Sequence, residues 1–235
     1  MKKLLSFVIG ILIMCSTVFG QSESTLKFLG IPVDGSKSEM VAALKSKGFK
    51  YDSESDFLIG DFNGRESHIG IVENHGKVYR VVVFDADTYD AGEIKIRFNN
   101  LIHQFENNGK YFYIVPNDII PEDEDIHYEI IVHDKEYSAT FHYNPLYGND
   151  ELRDSLINEA VAKVEENNKK LGYDKSIESD SYKDNCDRLI SAHVSLKVIQ
   201  MSNGSVWFKI FEHYGKYYIG LYYDNLLNEP NGEDL

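Results

Sequence analysis

Cysteine is almost missing from this chain: of 235 residues only Cys15 and Cys186 carry a thiol. Cys15 falls inside an apparent N-terminal leader, so the processed chain keeps one thiol and no intramolecular disulfide. Stability must then come from burial alone, and a lone thiol without a nucleophile signature reads as a packed residue. Basic residues are in deficit, 24 Lys and Arg against 38 Asp and Glu, a net charge of −14 that becomes −16 once Lys2 and Lys3 leave with the leader. A field of that sign repels nucleic acid and anionic membrane surfaces, so neither is an expected partner. The longest apolar run, Leu4 to Met14, falls short of the roughly 20 residues that span a bilayer. Catalytic signatures are absent too. The chain has no Gly-x-Ser-x-Gly elbow, no His-Glu-x-x-His, no phosphate-cradling Gly-rich loop and no cysteine pair for zinc, so no cofactor is implied.

What is present begins with the leader. Lys2 and Lys3, the apolar run, and Val18 and Gly20 at the −3 and −1 sites make a secretory signal peptide over residues 1–20. Cleavage before Gln21 gives an exported protein, periplasmic or extracellular. Lipid anchoring at Cys15 is disfavoured, because Met14 stands where a small residue is required.

Three helix starts follow. Ser36 with Glu39, and Asp90 with Glu93, have the spacing of capping boxes, and Asn149 precedes Asp150 and Glu151. Gly48, Gly109 and Gly172 stand where these helices end. Behind each helix the pattern predicts antiparallel strands. "FLIGDF", "RESHIGIVE" and "KVYRVVVF" turn at Asn63-Gly64 and near Gly76; "VSLKVIQM", "SVWFKIF" and "KYYIGLYYD" turn at Asn203-Gly204 and near Gly215. The middle set is "KYFYIV", "IHYEIIV" and "EYSATFHY". The expected fold is α+β: helix-plus-three-strand-meander units, three in tandem, over residues 21–88, 89–147 and 148–235, the last with an insertion near 173–191. The echo between "ENHGKVYRVVVFDAD" and "EHYGKYYIGLYYDN" is then the last hairpin of a unit written twice.

The opening "LKFLGIPVDGSKSEMVAALKSKGF", Leu26 to Phe49, resembles the start of a family of uncharacterised exported proteins of Gram-negative anaerobes, typified by "KFxGIPxDG" and "KGF". That resemblance covers about a tenth of the chain and brings no activity with it. In element order the chain is similar to the SmpA/OmlA envelope-assembly lipoproteins and to the β-lactamase-inhibitor-protein fold, which implies binding rather than catalysis.

Strand alternation supplies two candidate sites. In the middle unit, a turn at Asp134-Lys135 sets His127 opposite His142, with Glu129 two residues along; two imidazoles and a carboxylate are a donor set for zinc and the basis of a metal-dependent hydrolase reading. The default for these residues, as for the acidic runs "FDADT" and "PEDEDI", is a solvated polar surface. In the last unit, a turn at Tyr214-Gly215 sets Trp207 beside Tyr222, Phe211 beside Tyr218 and Lys209 beside Gly220. A glycine floor between aromatic walls suits a protein or glycan partner, unless another unit covers it. The function expected is an exported, non-enzymatic binding or protein-interaction module, with an envelope-assembly accessory or inhibitor as the alternative and oligomeric state open.

Overall fold

The computed structural model describes residues 25–170, 180–230 and 232. The leader, Cys15, Gly172 and the beginning of the 173–191 insertion lie outside the described residues. The protein is α+β: five helices are described together with a large antiparallel sheet. A short ribbon of β1 (Lys27–Phe28) and β2 (Ile31–Pro32) precedes the sheet. The sheet holds β3 (Lys50–Asp52), β4 (Phe57–Phe62), β5 (Arg65–Asn74), β6 (Lys77–Asp85), β7 (Tyr111–Phe112), β8 (Ser138–Tyr143), β9 (Gly204–His213) and β10 (Lys216–Asn225). Their spatial order is 3-4-5-6-10-9-8-7, so the two echoing hairpins lie side by side, joined where β6 pairs β10.

Helix α1 (Lys37–Ser46) and helix α2 (Ala91–Glu106) both begin with the expected reciprocal caps, Ser36 with Glu39 and Asp90 with Glu93. Each box satisfies backbone amides that the first turn leaves without an intrahelical partner. Gly48 takes φ +100° just past α1, the left-handed C-cap conformation that glycine adopts without a Cβ penalty. Both helices cover one face of the sheet, here called inner. Met40 and Leu44 from α1, and Ile94, Phe98, Leu101, Ile102 and Phe105 from α2, share one core with Ile69, Val81, Val83, Phe208, Ile210, Ile219 and Leu221. Phe105 stacks on Phe141 at 5.0 Å, and Phe98 meets Phe208 edge-on at 5.2 Å. The sheet and its core run on through the boundaries at residues 88 and 147.

Two expected strands are helices. "IHYEIIV" lies in α3 (Ile126–His133), because the Asp125 carboxylate accepts from the His127 and Tyr128 amides and so starts a turn. Asp134, expected in a hairpin turn, is instead the C-cap of α3, at φ +53°. "VSLKVIQM" is the end of α5 (Asp180–Met201), which packs against α4 (Asp150–Lys170). Asn149 caps α4 as expected, accepting from the Leu152 amide. On the facing sides, Asn168 donates to the Tyr182 hydroxyl, and Glu159 meets Lys163 and His193. The middle segment therefore does not form a three-strand meander, and Asn203-Gly204 joins a helix to a strand.

One local irregularity decides which side chains reach the outer face. Val72 pairs with Arg80 but Glu73 pairs with Val78, so Tyr79 is an extra residue, a β-bulge. Counted from the Gly76 turn without the bulge, Arg80 would occupy the buried place that Ile219 holds in β10. With it, Arg80 turns outward, while Val78 and Val81 both stay in the core.

Candidate functional site

The outer face of β9 and β10 has the register expected from the sequence: Trp207 opposite Tyr222, Lys209 opposite Gly220, Phe211 opposite Tyr218. The turn that sets it, Tyr214-Gly215, has φ of +51° and +73°, the paired positive values of a type I′ hairpin. Trp207 and Tyr222 stack at 3.9 Å with planes 6° apart, and Phe211 and Tyr218 at 5.3 Å and 13°. All five candidate side chains are half-buried.

Phe84 joins the two pairs. It sits opposite Gly220 across the β6–β10 junction and meets Phe211, Tyr218 and Tyr222 edge-on at 6.2–6.3 Å. Phe57 touches Phe84 from β4 and lies beside His68 of β5. A band of rings thus crosses five strands on the face away from α1 and α2. The ring contacts described for it all come from strand residues. Gly220 is not the open floor expected: a Cβ there would lie 2.6 Å from Phe211, 3.0 Å from Phe84 and 3.2 Å from Tyr222. The rings have closed over the glycine.

Charge enters at one end. Asp224, only 2% exposed, accepts from Arg80 Nε at 2.6 Å, Arg80 Nη2 at 2.8 Å and Trp207 Nε1 at 2.8 Å. The Asp224 carboxylate raises the Arg80 pKa against the opposing effect of burial, and burial raises that of the Tyr222 phenol. The guanidinium carbon stands 5.6 Å from the Trp207 centroid and 5.5 Å from that of Tyr222. Lys209 lies over Phe211 at 4.9 Å and reaches Glu136 at 3.2 Å. Arg80, Asp224, Phe84 and Phe57 were not foreseen in this site; the strands beyond the hairpin and the Tyr79 bulge bring them in.

The proposed metal donors are not brought together. His127 and Glu129 ride on α3 and His142 on β8, so no cross-strand pair exists. His127 Nδ1 lies 2.8 Å from the Tyr217 hydroxyl, Glu129 holds His133 at 2.9 Å, and His142 packs on Phe112. Burial lowers the His142 pKa. Among the described residues no group of three or more His, Cys, Asp or Glu is placed to hold a metal ion. Cys186 is half-buried against Asn168.

Fold and face together define an α+β protein with a large antiparallel sheet, helices against its inner face and an aromatic outer face. No protein-family model matches the chain, and neither a curated protein nor a solved structure matches it.

Proposed function

We propose that the protein is an exported, non-enzymatic binding module that holds a protein partner against the outer face of its sheet. The observation that carries this reading is the ring band from Phe57 to Trp207 on the side that α1 and α2 leave bare. The solvated face of an antiparallel sheet is ordinarily polar, and contiguous apolar surface marks interaction sites. Tyr, Trp and Arg are also the side chains that dominate interface energetics. A protein partner suits the band better than a sugar does, because the ring faces are largely taken. Trp207 lies on Tyr222, Phe211 on Tyr218, and Lys209 over Phe211. What remains is ring edges flanked by Arg80 and Lys209, which suit the side chains of another protein. An envelope-assembly accessory and an inhibitor are both proteins of this kind.

The same reading answers why the hairpin is written twice. The element order supports two halves in place of three units, each opening with a helix and contributing four strands, the second interrupted by α3, α4 and α5. Ile69 and Ile71 stand 139 residues before Phe208 and Ile210; past the Tyr79 bulge, Val81 and Val83 stand 138 before Ile219 and Leu221. The core positions thus recur. The outer ones do not: His68, Gly70 and Val72 occupy the places of Trp207, Lys209 and Phe211. The first half is scaffold and the second carries recognition.

A photo-crosslinking residue at position 209, with a control at exposed Lys163 of α4, tests the proposal in the producing cell. One discrete protein adduct at 209 that is absent at 163, and lost in Phe211→Lys with melting unchanged, is the expected result. No discrete adduct at 209, or one that persists in Phe211→Lys, overturns it.

A further inference from the structure

At one end of the inner face, on the side of the sheet away from the aromatic band, a cleft of about 690 Å³ opens between the β1–β2 turn, the residues after α2, and the segment that leads from β8 into α4. Four phenols line it: Tyr111, Tyr143, Tyr147 and Tyr223. A smaller cavity of about 280 Å³ under the C-terminal end of α2 shares Tyr111 and Tyr223 with it. Two of these rings are fixed from behind, Tyr223 against Phe28 at 5.0 Å and Tyr111 against Phe105 at 5.1 Å. A concave surface with a few fixed polar groups is the usual anatomy of a small-ligand site.

Two further observations point to a ligand. The first is Tyr223. It is only 7% exposed, and its hydroxyl has no hydrogen-bond partner among the described residues; since none of these has a partnerless polar atom sealed from solvent, this oxygen keeps access to the space that Tyr223 lines, the cleft and the smaller cavity beside it. A polar group so deeply buried is ordinarily satisfied. Its neighbours act on one another: burial and then Tyr111 push the Tyr223 pKa well up, and burial and then Tyr143 bring Tyr111 to about 12. Burial likewise raises the Tyr143 pKa, so Tyr111, Tyr143 and Tyr223 stay neutral hydroxyls near pH 7, able both to donate and to accept.

The second is charge. Acidic residues outnumber basic ones 38 to 24 in the chain, yet neither cavity is lined by an Asp or Glu. The cleft instead carries Lys27 and Lys110, neither of which has a carboxylate partner among the described residues; Lys110 stands 5.7 Å from the Tyr147 ring. Among the described residues these two ammonium groups thus stand on a cleft wall without an ion-pair partner, in a chain of negative net charge.

We propose that this cleft binds an acidic saccharide, a sugar ring carrying a carboxylate or sulfate. Sugar hydroxyls pair with phenols that donate and accept, ring C–H faces lie on the tyrosine faces, and the anionic substituent meets Lys27 and Lys110. The site is separate from the outer face, so its failure leaves the protein-partner reading untouched, and the converse holds.

Isothermal titration of the full exported chain with a hexuronate oligosaccharide, a sulfated disaccharide and a neutral oligosaccharide of equal length tests the assignment. At least one acidic probe should bind roughly tenfold or more tightly than the neutral one, and less tightly as salt rises. Tyr223→Phe keeps the ring and removes the hydroxyl, and should weaken binding roughly fivefold, the worth of one hydrogen bond; Lys110→Gln should erase most of the preference for acid. No binding of either acidic probe at millimolar concentration overturns the proposal. So does equal binding of the neutral sugar, or an affinity that neither variant changes.

Discussion

Replacing Arg80 by Met tests the network that anchors the outer face. Asp224 is 2% exposed and accepts from three donors, two of them on Arg80. The substitution leaves a buried carboxylate with Trp207 Nε1 alone. Breaking a buried ion pair by removing one partner costs about 3–5 kcal/mol. The Arg80 side chain is 24% exposed, which admits water to the vacated space and favours the lower end, about 3 kcal/mol. Urea unfolding followed by circular dichroism reads the loss as a lower midpoint at constant slope. Adding Asp224→Asn to Arg80→Met should recover about 1 kcal/mol or more, because the stranded charge is then gone. Lys37→Met, at an ion pair whose side chains are 29% and 55% exposed, is the comparison and should cost less than about 1 kcal/mol. If Arg80→Met costs no more than Lys37→Met, the Asp224 network is an ordinary surface pair and the reasoning fails.

Three other outcomes follow from the same geometry. Gly220→Ala should cost about 1–3 kcal/mol, since a Cβ 2.6 Å from Phe211 must push rings apart; a neutral effect in urea unfolding would mean that the rings do not close over the glycine. The Tyr111 phenol, raised from 10.0 to about 12 by burial and by Tyr143, keeps its proton in the native state after the unfolded chain has lost it. The unfolded state then binds fewer protons, so stability holds below pH 10 and falls between pH 10 and 12. Unfolding midpoints across that window should show a shallower fall for Tyr111→Phe, and an unchanged slope would contradict the burial of this phenol. Finally, if the leader is cleaved as proposed, the intact mass of the protein recovered from its producing cell should correspond to a chain beginning at Gln21; a diacylated Cys15 would refute the processing inferred from Val18, Gly20 and Met14.

The parts of the fold legible in the sequence are those set by near neighbours. The capping boxes at Ser36 and Asp90 each need a partner three residues away, and the β9–β10 register follows from a two-residue turn. The failures share one cause. "IHYEIIV" and "VSLKVIQM" are short, β-branched apolar runs, and at that length helix and strand patterns are indistinguishable. Asp125 decides the first through its bonds to two amides, and packing on α4 accompanies the second. The Tyr79 bulge has no local signature, so the outward turn of Arg80 could not be anticipated. Nor could the cleft, whose lysines and tyrosines come from residues 27, 110–111, 143–147 and 223 and meet only in the folded chain.

Trp207 is the chain's single tryptophan, so its fluorescence reports on the outer face alone. The proposed binding surface requires this face to be bare in the isolated protein, and acrylamide quenching of native Trp207 tests that. Half-burial beside Tyr222 predicts quenching clearly above that of a core tryptophan and below that of the urea-unfolded chain. A native signal that acrylamide does not quench would show the face to be covered and would contradict the proposed binding surface.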